Sequence, residues 1–259
     1  MLVDVSHGTG VATMVSHKYL IVNADDFGQS SGVNRGIIKA YRGGIVTSAS
    51  LMVRWPAAAE ASAYARQHPS LSIGLHVDLG EKVFRAGQWV PLYGVVPLQD
   101  TAAIRDEIFR QLDVFYRLMG DGPSHLDSHQ HVHLREPVRT ILIEASQRLG
   151  IPLRHCSAGI GYRGGFYGQT AEGAPLPNVI SVDGLIHILE TLPAGYTELG
   201  CHPAESCDFD TMYRLERLKE LNVLCAPQVR AAITAMGIEL CSFTSFPNEH
   251  KRSVHERPA

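Results

Sequence analysis

Along the chain, short apolar runs alternate with stretches in which apolar residues recur every three or four positions. Residues 19–24 (YLIVNA) form a continuous apolar run of strand length, as expected of a buried strand. A helical pattern over 31–42 stops at Gly43-Gly44, a pair suited to a helix C-terminus. Residues 45–53 (IVTSASLMV) read as a second strand, and 56–67 as a helix with Pro56 near its first turn. Residues 71–79 (LSIGLHVDL) make a third strand, followed by a Gly- and Pro-punctuated loop over 80–99.

The pattern is sharpest over 101–119, where Ile104, Ile108, Leu112 and Phe115 fall on one helical stripe. Residues 124–128 give a fourth strand, and 136–149 a helix closed by Gly150. A fifth strand is expected over 152–156, and a Gly-rich loop over 157–178. A helix over 182–192 leads to a sixth strand at 196–201. Helices at 209–221 and 227–236 precede a seventh strand at 238–243. Strands that alternate with helices in this way imply an α/β fold on a parallel sheet. Periodicity does not decide between a closed barrel and an open sheet. With no linker or internal repeat, 19–246 reads as one domain, flanked by a flexible extension over 1–18 and a polar, disordered tail over 247–259.

Composition narrows the function. The 259 residues carry a net charge of −3, which argues against a protein held to nucleic acid by phosphate contacts. His250-Lys251-Arg252 is a short basic run in a solvated tail. No apolar run reaches the ~20 residues of a membrane span, and the N-terminus lacks a signal-peptide pattern. Five cysteines with no CxxC pair fit free thiols in a reducing compartment. Together these point to a cytoplasmic protein.

Ionisable residues then gather where an α/β sheet places chemistry, at the C-terminal ends of strands. The first strand ends in Asp25-Asp26, and the third carries His76 and Asp78. The fourth runs into HLDSHQHVH (125–133), and the sixth ends at His202 before Pro203. One Asp after a strand is often a helix cap, and one buried His is often a satisfied core residue. Four histidines and an Asp within nine residues are harder to explain as structure alone. His129, His131 and His133 alternate, so on an extended segment they would face one way. Neutral imidazoles with carboxylates suit a divalent ion. The spacing nominates His129 with His131 as readily as any other pair.

The segments IVNADDFG (21–28), GIVTSASLMV (44–53), SIGLHVDL (72–79), HLDSHQHVH (125–133) and ELGCHPAE (198–205), in this order, resemble the YdjC-like (ChbG/HpnK) carbohydrate deacetylases. The resemblance implies a distorted (β/α) barrel of about seven parallel strands, related in plan to the NodB-type deacetylases. It implies hydrolysis of the N-acetyl amide of an amino sugar with one divalent metal, Zn²⁺ or Mg²⁺, with Mn²⁺, Co²⁺ or Ni²⁺ as alternatives. It also implies a homodimer. Carried onto this chain, Asp26, His76 and His129 correspond to metal ligands, Asp25 to the catalytic base, and His202 to the histidine beside the leaving group. Asp127, His131 and His133 are left as partners of the ligands or substrate contacts.

Further expectations concern the substrate. The loop GIGYRGGFYGQ (159–169) offers Tyr162, Arg163 and Phe166, since aromatic faces and Arg grip sugars and their polar groups. Trp89 is a second candidate for lining the cleft, His131 a third, and Arg154, from its place at a strand end, is expected to orient Asp25. Two rival readings are a phosphoesterase or other ester hydrolase on the same plan and a non-catalytic sugar-binding relative.

Overall fold

A computed structural model describes residues 17–176 and 178–247. Nearly all of the extension and tail expected at the two ends lies outside the described residues. The elements run β1 (Lys18–Phe27), α1 (Ser31–Gly43), β2 (Ser48–Leu51), α2 (Ala58–Gln67), β3 (Ser72–Val77), β4 (Gly80–Arg85) and β5 (Gln88–Gly94). They continue with α3 (Thr101–Met119), β6 (Leu126–Ser128), a 3₁₀ turn (His129–Leu134), α4 (Val138–Leu149), β7 (Ile160–Arg163) and α5 (Val182–Glu190). The last are β8 (Gly195–Cys201), α6 (Leu215–Leu224), α7 (Pro227–Ala235) and β9 (Ile238–Cys241).

Seven strands form one sheet in the order β6-β3-β2-β1-β8-β7, with β9 also paired to β1. Every pairing in it is parallel, and the sheet curls into a half-barrel. The strands are short and apolar because both faces are covered. β1 is the central strand, and from Leu20 to Phe27 it is buried throughout. The stripe expected on α3 is present: Ile104, Ile108, Leu112 and Phe115 are all buried in the main core, each side chain worth about 1.5–3 kcal/mol on full burial. Asp100 caps this helix by accepting from the Ala103 N–H at 3.0 Å, and Gly120 ends it with left-handed backbone.

Five local expectations are corrected. The stretch expected as a loop over 80–99 contains an antiparallel hairpin, β4 with β5; its apolar alternation is weak because β5 buries no residue on either face. The expected strand over 152–156 is reduced to a single bridge, Leu153 to Leu126. The strand that completes the sheet comes instead from the supposed Gly-rich loop, as β7. The helix expected from 209 begins only at Leu215.

The fifth correction bears on the site. Residues 129–134 are not extended. They form a 3₁₀ turn in which Gln130 and His131 take left-handed backbone, with φ 50° and 51°. The alternate histidines therefore do not share a face.

Candidate active site

Because all the pairings are parallel, the C-terminal ends of β1, β3, β6 and β8 meet at one end of the half-barrel. A cleft there is lined by Asp25, Asp26, His76, His129, His131 and His202, among others. On a regular strand Asp25 and Asp26 would point to opposite faces. Here Asp26 has φ 67° and the register with β2 slips between Ala24 and Phe27. This kink turns both carboxylates toward the cleft. A non-glycine residue in that region stores about 1–3 kcal/mol of strain, which the surrounding ion pairs hold in place.

Asp26 is the meeting point of one group. Its Oδ1 lies 3.3 Å from His76 Nε2 and 3.1 Å from His129 Nδ1. Its Oδ2 accepts from Arg217 Nη2 at 2.6 Å. The hairpin brings Glu81 to 3.3 Å from His129 Nε2, off hydrogen-bond geometry, so that nitrogen has no hydrogen-bond partner. Behind His76, Nδ1–H donates to Asp127 Oδ1 at 2.8 Å. His76 and Asp127 are register partners across β3 and β6, so their side chains point the same way.

The charges are strongly perturbed. Burial pushes the Asp26 carboxyl up, but Arg217 and His129 reverse this and hold it well below its ordinary value. Burial depresses His76, and Asp127 overcomes it, raising the imidazole to about 9. His129 is raised likewise against burial by Asp26 and Glu81. The carboxylates of Asp26, Glu81 and Asp127 thus favour positive charge on the two imidazoles they surround.

Asp25 belongs to a second network, around the buried Arg154. The guanidinium grips Asp25 through Nη1 and Nη2, each 2.7 Å from a carboxylate oxygen. It also lies 2.7 Å from Asp127 Oδ2, and its Nε donates to Glu198 Oε1 at 2.7 Å. Three carboxylates thus share one cation. Against burial, Arg154 holds Asp25 below its ordinary value. Glu198 emerges raised to about 7, chiefly by burial.

His202 Nε2 lies 3.7 Å from Asp25 Oδ2, on the side of the cleft formed by Tyr167 and Tyr213. Burial pushes this imidazole down to about 4. Its backbone N–H donates to Glu220, which also accepts from Tyr213 at 2.5 Å.

The structure thus brings together Asp25, Asp26, His76, His129, His202 and Arg154, with Tyr162 and His131 on the cleft wall. Three sequence-predicted contacts are elsewhere. Phe166 is fully buried in the core. Arg163 reaches the carbonyl of Thr191. Trp89 is exposed near the hairpin tip and packs edge-on against Phe84. Asp78, at the end of β3, is bound to Arg54, Trp55 and Tyr93 and anchors the hairpin. Sequence reasoning missed Glu81, Glu198, Arg217 and Glu220. Glu198 had a signal, as a charge inside an apolar strand. Arg217 and Glu220 lie on α6, where nothing local separates them from solvated charges.

A family model for YdjC-like protein matches residues 19–235. The chain belongs to the YdjC-like family. A chitooligosaccharide deacetylase of Serratia marcescens is 34% identical to this YdjC-like chain, over 87% of it and 98% of that relative. A carbohydrate deacetylase of Geobacillus stearothermophilus is 32% identical, over 88% and 98%. Among solved structures, a protein from Enterococcus faecalis described as a cellobiose-phosphate cleavage protein aligns with TM-score 0.70 and 26% identity, over 89% of this chain and 99% of that one. A family 4 carbohydrate esterase from Streptomyces lividans, solved with acetate, aligns with TM-score 0.52 and 15% identity, over 87% and 91%. That likeness places the YdjC-like chain in the fold of the family 4 esterases.

Proposed function

We propose that this YdjC-like protein is a metal-dependent deacetylase that hydrolyses the N-acetyl amide of an amino sugar to acetate and a free amine. The observation that carries this reading is the placement of Asp25 and His202, 3.7 Å apart, in the cleft that also holds the Asp26, His76 and His129 group. The relatives named as deacetylases support the same chemistry.

One carboxylate oxygen and two imidazole nitrogens, all within 4.8 Å of one another and buried, form a donor set that fits a divalent ion. The Asp127 contact fits too, since an outer carboxylate on the far nitrogen orients a ligating imidazole. Asp26, His76 and His129 would hold the ion. When bound, it would polarise the acetyl carbonyl and make water acidic enough to be deprotonated at neutral pH.

The chain's own residues do the rest. Asp25 is the base. Arg154 keeps it ionised, and its Oδ2 accepts one hydrogen bond from Arg154, leaving a lone pair for the proton of the attacking water. His202 starts neutral. It receives that proton across the gap to Asp25 and delivers it to the amine nitrogen as the C–N bond breaks. Glu220 and Tyr213 position His202 from behind. Tyr162 and Tyr167 offer ring faces for the sugar.

The test is acetate release from a panel of N-acetylated sugars, including chitobiose, N-acetylglucosamine and a lipid-linked N-acetylglucosaminide, each with and without chelator. Chelator-sensitive acetate from at least one is expected. The Enterococcus relative's description favours one rival, cleavage of a sugar phosphate. Cleavage of cellobiose phosphate, read as free phosphate or free glucose, without acetate from any N-acetyl sugar would replace the deacetylase reading with that one.

A further inference from the structure

A second histidine group lies beside the cleft. His131, His133 and His155 place one ring nitrogen each within 4.8 Å of one another. Their rings pack edge-on or tilted, with centroids 5.4–5.8 Å apart. None of the three belongs to the Asp26 group, and the proposed reaction assigns them no step.

Two features distinguish this cluster from ordinary ring packing. His133 is fully buried, and its Nε2 has no hydrogen-bond partner; His131 Nδ1 is likewise buried and unpartnered. Buried polar atoms are nearly always satisfied, so two orphan imidazole nitrogens in one cluster point to a missing partner. The other side of His133 is fixed: Nδ1 sits 2.7 Å from Ser128 Oγ. Donation from Nδ1–H to that hydroxyl leaves the Nε2 lone pair free, the tautomer a metal ligand needs. The backbone is bent to assemble the group, since His131 and His155 both have left-handed φ, 51° and 63°.

We propose that His131, His133 and His155 form a second metal site, for a borderline transition ion such as Zn²⁺, Ni²⁺ or Cu²⁺. All three donors are imidazole nitrogens with no carboxylate among them, a set that suits these ions and not Mg²⁺ or Ca²⁺. Bonds of about 2.0–2.1 Å to zinc require the three nitrogens to draw closer, which the exposed His155 permits. Since His131 also lines the cleft, an ion here stands at the wall of the active site. The proposal does not depend on the deacetylase reading.

The experiment is equilibrium dialysis of the untagged, full-length, metal-stripped protein against Zn²⁺, with bound metal counted by mass spectrometry. Wild type, His155→Gln and His129→Gln are compared. Histidines at the chain ends contribute equally to all three, so the differences carry the answer. His155→Gln is expected to lose one equivalent, or to bind it at least tenfold more weakly, while His129→Gln retains it. If His155→Gln and the fully buried His133→Asn both bind as much Zn²⁺ as wild type, the second site does not exist. Loss in His155→Gln with no loss in His129→Gln would support this site and count against the ion at Asp26. Loss in His129→Gln alone would do the reverse.

Discussion

The two histidine groups share one short segment yet have opposite electrostatics. His129 sits with Asp26 and Glu81, and His76 with Asp26 and Asp127; both imidazoles are raised well above their ordinary value. Two residues further along the chain, burial depresses His131 to about 3, helped by the nearby Arg154 cation. His133 is depressed by burial to about 4, and His155 is also lowered. Neighbours and burial, not residue type, set the state of an imidazole. One group is built around carboxylates and favours positive charge. The other is built of neutral rings and favours only an ion that nitrogen binds well. Arg154 borders both.

The largest expected effect comes from the acidic side. Asp25→Asn removes the proposed base without touching the metal donors. Turnover should fall about 10²–10⁴-fold, with metal content unchanged by mass spectrometry. Near-normal turnover would mean that the base is another group.

Arg154→Met tests the border. It leaves Asp25, Asp127 and Glu198 buried without their cation, a loss of about 3–5 kcal/mol, read as a drop in denaturation midpoint. In the folded variant the His131 imidazole should titrate at higher pH by NMR, because a neighbouring positive charge is gone. An unmoved His131 would show that burial alone depresses it.

Asp127→Asn is milder. The amide keeps the shape but no longer orients His76 by a charged hydrogen bond, and metal affinity should weaken about 10–100-fold. Unchanged affinity would show that the Asp127 charge does not tune His76 toward the ion.

The smallest effect is on acid stability. His125 is fully buried, stacked on Phe243 and bonded to Ser50 and Ser124, and burial pushes it down to about 3. Its folded value lies below its unfolded one, so its contribution is intact above about pH 6.5. As pH falls from there toward 3, the unfolded chain takes up a proton that the folded chain refuses. The metal-free protein should lose several degrees of Tm between pH 6.5 and 4.5, and His125→Asn should flatten that slope. An equal slope in both would assign the acid loss to the other buried histidines.

Much of the fold was legible in the chain. The α3 stripe and its glycine stop follow from the 3.6-residue period of a helix buried on one face, and six of the seven sheet strands from short runs between turn signals, buried on both faces. The seventh strand was misplaced: Leu153 makes one bridge, while Ile160–Arg163 pairs with β8 inside a glycine-rich stretch. Pairing with an edge, not propensity, made that segment a strand. Of the site, the strand-end positions of Asp25, Asp26, His76 and His202 could be read directly. Along the chain Asp127 reads only as a partner of the ligands or a substrate contact; its pairing with His76 follows from parallel register with the adjacent strand.

By itself the sequence determined the alternation of strands and helices outside the hairpin and β7, the parallel sheet, and the end of it at which ionisable groups gather. These rest on local hydrophobic period and on chain direction. Only the tertiary structure decided how the histidines divide. Left-handed residues at 26, 130, 131 and 155 turn side chains off the faces that strand alternation would assign. Such turns are held by contacts from distant segments, Arg217 on Asp26 and the Lys82 backbone on Gln130 foremost, and no period along the chain encodes them.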